Sequence, residues 1–303
     1  MRRDVPAHRN RPTTIDILPS ALYGFRAMFT DYITRWNLTP DGDPIVTHSS
    51  RLLPVQHHGT PAMLKVATEA EEKRGSLLMS WWIGKGAARV LAQDSDALLL
   101  ERAMGDRSLA EYTRTGRDDE ATRILCAAIA TLHAHDAEPP PYLVALTPWF
   151  SDLWPAAETH GGILARSADT VRELLAHPRD VVVLHGDIHH DNILDFGERG
   201  WLAIDPKGLL GERGFDYANL FCNPETDIEV TAPDRFRRRL AIVTEASGIK
   251  RERLLQWILA WTGLSAAWWL SDRVHPAIDF RIAELAAREL SLSPSSSMGR
   301  GSG

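Results

Sequence analysis

The sequence predicts an α+β fold in two lobes, a small lobe built on an antiparallel sheet and a larger, mostly helical one. Three observations carry this. Short apolar runs crowd the first third of the chain, long amphipathic segments follow Gly105, and 303 residues that are 44% hydrophobic suit two cores better than one. The boundary is placed near residue 103, which makes 1–103 the N-terminal lobe and 104–290 the helical lobe. Residues 291–303, rich in Ser and Gly, are expected to be a disordered tail.

Residues 1–20 read as irregular, interrupted by Pro6, Pro12 and Pro19. From Ser20, an N-cap residue, the positions Leu22, Phe25, Phe29, Tyr32, Ile33 and Trp36 recur at helical spacing, and Pro40-Asp41-Gly42 closes the helix. Ser50–Val55 and Ala62–Ala67 read as a hairpin across His57-His58-Gly59-Thr60, with Lys65 inside its second strand. Glu69–Trp82 is a helix, and Ala97–Arg102, with Leu98, Leu99 and Leu100 in succession, is a buried strand. Beyond Gly105 come helices at Asp118–His133, ended by the prolines of Glu138–Pro141, and at Ser167–Ala176. The apolar strand Val181–Leu184 then runs straight into His185. Ile193–Phe196 and Trp201–Ile204 form a second hairpin over Gly197-Glu198-Arg199-Gly200, and Arg235–Ser247, Glu252–Leu270 and Ala277–Leu290 are helices.

Composition narrows the partners. A formal net charge of −6 lacks the basic patch that nucleic-acid phosphates require, and suits a small cationic molecule instead. Cys126 and Cys222 lie far apart in apolar surroundings, as buried thiols of a reducing cytosol do. Met1 to Arg11 is basic and polar, unlike a secretory leader, and no run approaches the roughly 18 apolar residues of a membrane helix. A cytoplasmic monomer without nucleic-acid or membrane partners is expected.

The chemistry concentrates between Val183 and Asp205. Asp187 follows a buried strand, Asn192 comes five residues later, and a hairpin returns Asp205 to the same rim. Phosphoryl transfer from ATP needs such a set: one carboxylate to align the acceptor hydroxyl, and an amide oxygen with a second carboxylate to hold Mg²⁺. Lys65, flanked by apolar residues, is the cation for the phosphates, and Glu69, Glu71 or Glu72 could pair with it. His185, His189 and His190 superficially suggest a metallohydrolase, but Asp187 occupies the second histidine position of that pattern. Trp257, Trp261 and Trp268 fall at helical spacing and belong to a core.

These residues, in this order, resemble the aminoglycoside phosphotransferase branch of the protein-kinase-like fold. The runs 47–55, 86–90, 184–196, 199–206, 208–213 and 261–268 are similar to the streptomycin 6-kinase (aminoglycoside/hydroxyurea antibiotic resistance kinase) family. The resemblance implies that Asp187 is the catalytic aspartate, that Asn192 and Asp205 are Mg²⁺ ligands, and that Lys65, oriented by Glu72, contacts the α- and β-phosphates. It implies that Leu99–Ala103, including Glu101 and Ala103, is a hinge whose backbone reads adenine, and that Asp216 braces the catalytic loop. Two departures from protein kinases stand out: His48-Ser49-Ser50 replaces the glycine-rich loop, its backbone at Ser49 and Ser50 capping phosphates, and Pro206-Lys207-Gly208 follows Asp205. The implied acceptor is the 6-hydroxyl of streptomycin, with Glu212, Asp227, Trp269 and Asp272 as candidate walls for its guanidinium groups. Hydroxyurea, another aminocyclitol or a metabolite are alternative acceptors, and a non-catalytic nucleotide-binding pseudokinase is the alternative of another class.

Overall fold

A computed structural model describes residues 28–47, 49–225, 227 and 229–292. The expected N-cap Ser20, the segment 1–20, His48 and the tail after Leu292 lie outside the described residues. Helical residues 28–35 (α1) are followed by β1 (Leu38–Pro40), β2 (Ile45–Val46), β3 (Ser50–His57), β4 (Thr60–Ala67), α2 (Ala70–Trp81), β5 (Val90–Gln93) and β6 (Ala97–Glu101). The six strands make one sheet in the order β1-β3-β4-β6-β5, with β2 against β3, and every pairing is antiparallel. The β3–β4 hairpin turns on His58 and Gly59, whose φ angles of 51° and 77° have the hand that matches strand twist in a two-residue loop.

Alternation within the strands places the first functional side chain. Ala62, Leu64 and Val66 of β4 pack with Phe29, Leu53 and Leu99 on one face of the sheet, so Lys65 between them projects from the other. Strand β6 is covered on both faces: Leu99 joins that cluster, while Leu98 and Leu100 join the main core. A strand buried twice reads as a continuous apolar run, and each of these leucines contributes about 2 kcal/mol by leaving water.

The remaining elements are α3 (Leu109–Arg114), α4 (Asp118–His133), β7 (Val144–Ala145), α5 (Leu146–Trp149), α6 (Leu153–His160), α7 (Gly162–Ala176), β8 (Val181–Leu184), β9 (Ile193–Asp195), β10 (Trp201–Ala203), β11 (Leu209–Glu212), α8 (Gly214–Ala218), α9 (Pro233–Ser247), α10 (Arg251–Ser271) and α11 (Ala277–Leu292). Helix α10 is apolar nearly all round because it packs against α7, α8 and α11, and Trp257, Trp261 and Trp268 are core residues as their spacing predicts. Strands β9 and β10 pair antiparallel, as expected, with a 3₁₀ turn at Gly197–Arg199 between them. Helix α7 begins at Gly162 rather than at Ser167. Strand β11 pairs antiparallel with β8 and parallel with β7, a three-stranded sheet that the sequence reading did not contain.

Both cysteines are buried free thiols, and burial pushes Cys126 up to about 12. Among the described residues no helix is long and apolar enough to cross a membrane. Asp279, in the first turn of α11, is buried, and this pushes its carboxyl up to about 7 although Ser265 hydrogen-bonds it. A raised folded-state value means that the native state binds more protons between about pH 4 and 7, so stability from this group falls as pH rises through that window. The variant Asp279→Asn removes the effect. Its stability relative to the parent is expected to improve by on the order of 4 kcal/mol from pH 4 to pH 8 in urea melts; a difference that does not change with pH would contradict this.

Candidate active site

The sheet face that carries Lys65 looks into a cleft of about 300 Å³. Leu52, Met63 and Leu100 wall it from the sheet, Glu101, Arg102 and Ala103 from the connection after β6, and Asn192, Leu194, Phe196, Ile204 and Asp205 from the β9–β10 hairpin. Apolar walls with polar groups at one end suit a flat ring bearing a charged tail.

Lys65 is buried, and its ammonium contacts the carboxylates of Glu72 on α2 and Asp205 after β10. Burial opposes its charge, but the two carboxylates outweigh burial and hold its pKa above the ordinary lysine value. Of the three candidate partners on or beside α2 the structure selects Glu72; Glu69 is the exposed N-cap residue. Glu72 also accepts from Ser50 Oγ at 3.1 Å and Lys207 Nζ at 3.0 Å. Asp205 has φ of 64°, a left-handed conformation that Asp tolerates better than most residues.

The hairpin brings the other groups to the same rim. Ile193 lies opposite Ala203, and Ile204 N donates to Asn192 O at 2.9 Å, so Asn192 and Asp205 are neighbours across the strand ends. Asn192 Nδ2 donates to Asp187 O at 2.9 Å and to Asp187 Oδ2 at 3.3 Å, which turns the amide oxygen, the atom a hard cation takes, away from Asp187. Behind the loop, Asp216 accepts from His185 N at 2.9 Å, Gly186 N at 2.7 Å and His133 Nε2 at 2.8 Å, in the bracing position the resemblance implied. Gly186 has φ of 89°, and a Cβ there would lie 2.8 Å from Leu209 Cδ1, so only glycine lets the loop pass.

The histidines go separate ways. His185 is buried and neutral, with burial lowering its pKa; its Nε2 donates to Ile204 O at 2.8 Å while Nδ1 accepts from Asp187 N at 3.2 Å. His189 lines the cleft with Nε2 3.9 Å from Asp187. His190 is buried against Arg239 Nη2 at 3.2 Å, and burial with that guanidinium drives its pKa well down. A loop held by three unrelated contacts is not a histidine metal site.

Two residues that sequence reasoning missed touch this set. Asn219 Nδ2 donates to Asp187 Oδ1 at 2.9 Å. Lys207 is buried, with Nζ 3.0 Å from Glu72, 3.5 Å from Glu71 and 4.0 Å from Asp187. Burial opposes this charge too, yet the surrounding carboxylates raise its pKa well above the usual value, so a chain of alternating charge runs Lys65, Glu72, Lys207, Asp187. Helix α2 comes close enough to complete it because residue 75 is glycine: a Cβ there would fall 1.9 Å from Pro206 O. A lysine two positions after Asp205, where a protein kinase has glycine, was the available signal for Lys207. Asn219 had none.

Several expectations are corrected. Ser49 does not line the cleft: its carbonyl accepts from Thr68 N at 3.0 Å and Thr68 Oγ1 at 2.8 Å. Ser50 does line it, but its N–H donates to Thr47 Oγ1 at 3.0 Å and is committed there rather than held for phosphate. Glu101 does line the cleft, and its carboxylate is taken by Arg199 and by Arg89 N, which leaves the expected role to its backbone. Glu212 is no substrate wall. It is buried on β11, where Arg253 Nη2 at 2.5 Å and Trp257 Nε1 at 2.7 Å bind it. Asp227 is engaged by Arg235 Nη1 at 3.3 Å, in a cluster with Asp118 and Arg239. Trp269, half-buried, and Asp272, exposed, are not among the residues lining this cleft, and nothing among the described residues speaks against their facing a drug bound beside it.

Residues 35–273 match the model of the aminoglycoside/hydroxyurea antibiotic resistance kinase family. The chain belongs to this family. The streptomycin 3''-kinase of Klebsiella pneumoniae is 51% identical to this kinase over 264 residues, which cover 84% of the chain and 99% of that protein. The streptomycin 6-kinase of Streptomyces griseus is 33% identical over 275 residues, covering 86% and 88%. A thermostable mutant of the aminoglycoside phosphotransferase APH(4)-Ia, solved in a ternary complex with AMP-PNP and hygromycin B, superimposes with a TM-score of 0.61 at 13% identity, covering 87% of the kinase and 99% of that chain. At that distance the likeness is one of fold, and the two-lobed, kinase-like α+β architecture expected from the sequence is the one found.

Proposed function

We propose that this kinase transfers the γ-phosphate of ATP to streptomycin, at the 3''-hydroxyl, and so inactivates the drug. The observation that carries phosphotransfer is the convergence of Lys65, Asn192 and Asp205 on one cleft with Asp187 beside it. The acceptor rests on the 51% identity to the 3''-kinase, which moves the expectation from the 6-hydroxyl to the 3''-hydroxyl.

The backbone of Glu101 to Ala103 takes the adenine edge, and Lys65 exchanges Asp205 for phosphate oxygens. Asn192 and Asp205 both supply oxygen and border the same cleft, a donor set that fits Mg²⁺, which when bound neutralises phosphate charge. Asp187 aligns the acceptor hydroxyl and takes its proton; with a loose transition state its placement matters more than its basicity. Trp269 and Asp272 remain the proposed contacts for the cationic drug.

ADP release with a panel of hydroxyl acceptors, followed by phosphorus–proton correlation spectroscopy of the product, tests the assignment. Streptomycin-dependent turnover with phosphate on the 3''-oxygen is the expected result. Phosphate on the 6-oxygen overturns the position alone, and absence of streptomycin-dependent turnover overturns the acceptor.

A further inference from the structure

We infer that Asn219, clamped by Asn223, is the positioning residue that sets the angle of the Asp187 carboxylate toward the acceptor hydroxyl. The inference rests on the reading of Asp187 given above. It concerns a residue outside the catalytic loop, in the 3₁₀ turn Asn219–Cys222 that follows α8.

An ionised carboxylate only accepts hydrogen bonds, so the group that Asn219 presents to Asp187 Oδ1 at 2.9 Å must be its NH₂. That choice leaves the Asn219 amide oxygen facing Asn223, whose Nδ2 donates to it at 2.8 Å and to the Asn219 carbonyl at 3.1 Å. Asn223 is itself fixed, since its carbonyl accepts from Arg239 Nη1 at 2.7 Å, and Arg239 is buried on α9. The chain from α9 through Asn223 to Asn219 is thus a continuous run of hydrogen bonds, and it ends on Asp187 Oδ1, while Asn192 donates to Oδ2. Asn219 is 3% exposed, which limits the access of water to its side of that contact. With Oδ2 held by Asn192 from within the loop and Oδ1 held by Asn219 from the helical lobe, the carboxylate plane has one orientation. An unheld aspartate would sample several, and a wrong angle at the attacking oxygen lowers the rate without weakening nucleotide binding.

The test separates orientation from mere packing. For Asn219→Leu, kcat with streptomycin is expected to fall about 30-fold while the ATP KM stays within about threefold of the parent. For Asn219→Asp, the new carboxyl supports Asp187 only when protonated, because two apposed carboxylates share one proton. The ratio of its kcat to the parent's is expected to rise at least about threefold as pH falls from 8.5 to 6. Should Asn219→Leu not fold, Asn223→Ala, which loosens the clamp but keeps the contact, is expected to lower kcat about fivefold. Parental kcat in these variants, or kcat and ATP KM worsening together with no pH-dependent recovery, overturns the inference. Asp187→Ala is run alongside: if it keeps full turnover, the reading of Asp187 itself fails, whereas its inactivity beside an unaffected Asn219→Leu condemns only the role given to Asn219.

Discussion

Asp187→Ala is expected to lower streptomycin-dependent kcat roughly 10³-fold and to leave the dissociation constant for ATP within about threefold. The asymmetry follows from where the side chain lies. Lys65, Asn192 and Asp205 border the nucleotide cleft and Asp187 does not, so truncating it removes no wall of that cleft. What it removes is a carboxylate beside that cleft, held by Asn192 at 3.3 Å and Asn219 at 2.9 Å. The fold should survive, because the loop backbone is secured by Asp216 and His185 rather than by Asp187 itself. Coupled ADP release gives kcat, and calorimetric titration with a non-hydrolysable nucleotide gives affinity. Undiminished turnover would refute the site, and loss of nucleotide affinity in step with kcat would place Asp187 on the phosphates instead.

The parts of this molecule legible in the sequence are those whose cause is local. Helix α4 spans Asp118–His133, as its periodicity predicts, and the two hairpins turn where Gly59 and Gly197 allow. Asp187, Asn192 and Asp205 were legible as a group because a hairpin folds its own ends together, whatever surrounds it. Partners set by tertiary packing were not. Strand β11 owes its existence to β8 and to a two-residue strand, β7, some 65 positions earlier, and no pattern in Leu209–Glu212 announces either. Glu212 reads as a candidate wall for a guanidinium group because Arg253, the residue that neutralises it, is 41 positions downstream on α10. The same blindness hid Asn219, 32 positions from Asp187. Composition and spacing place carboxylates near a site, whereas sorting working carboxylates from structural ones requires knowing which cations reach them.

Asp216 illustrates the structural kind, and Asp216→Ala is expected to cost about 3–5 kcal/mol of stability. The carboxylate is 1% exposed and accepts from two successive backbone N–H groups of the catalytic loop and from His133. Truncation leaves those donors buried without an acceptor, and each unmet donor costs about 1–3 kcal/mol, offset in part by no longer burying a charge. Water cannot readily replace the carboxylate, since Asp216 and the flanking residues Phe215, Tyr217, Leu184 and His185 are all buried. Asp216→Asn keeps one acceptor oxygen but turns an NH₂ toward a donor, so an intermediate loss is expected in denaturant melts. Activity then distinguishes brace from catalyst. At a temperature where Asp216→Asn is fully folded, its kcat should fall by about 10- to 100-fold through displacement of the loop, with the ATP KM nearly unchanged. Parental stability in both variants would mean that the loop is held by something other than Asp216; a loss of kcat as deep as that of Asp187→Ala, with parental stability, would instead make Asp216 part of the chemistry.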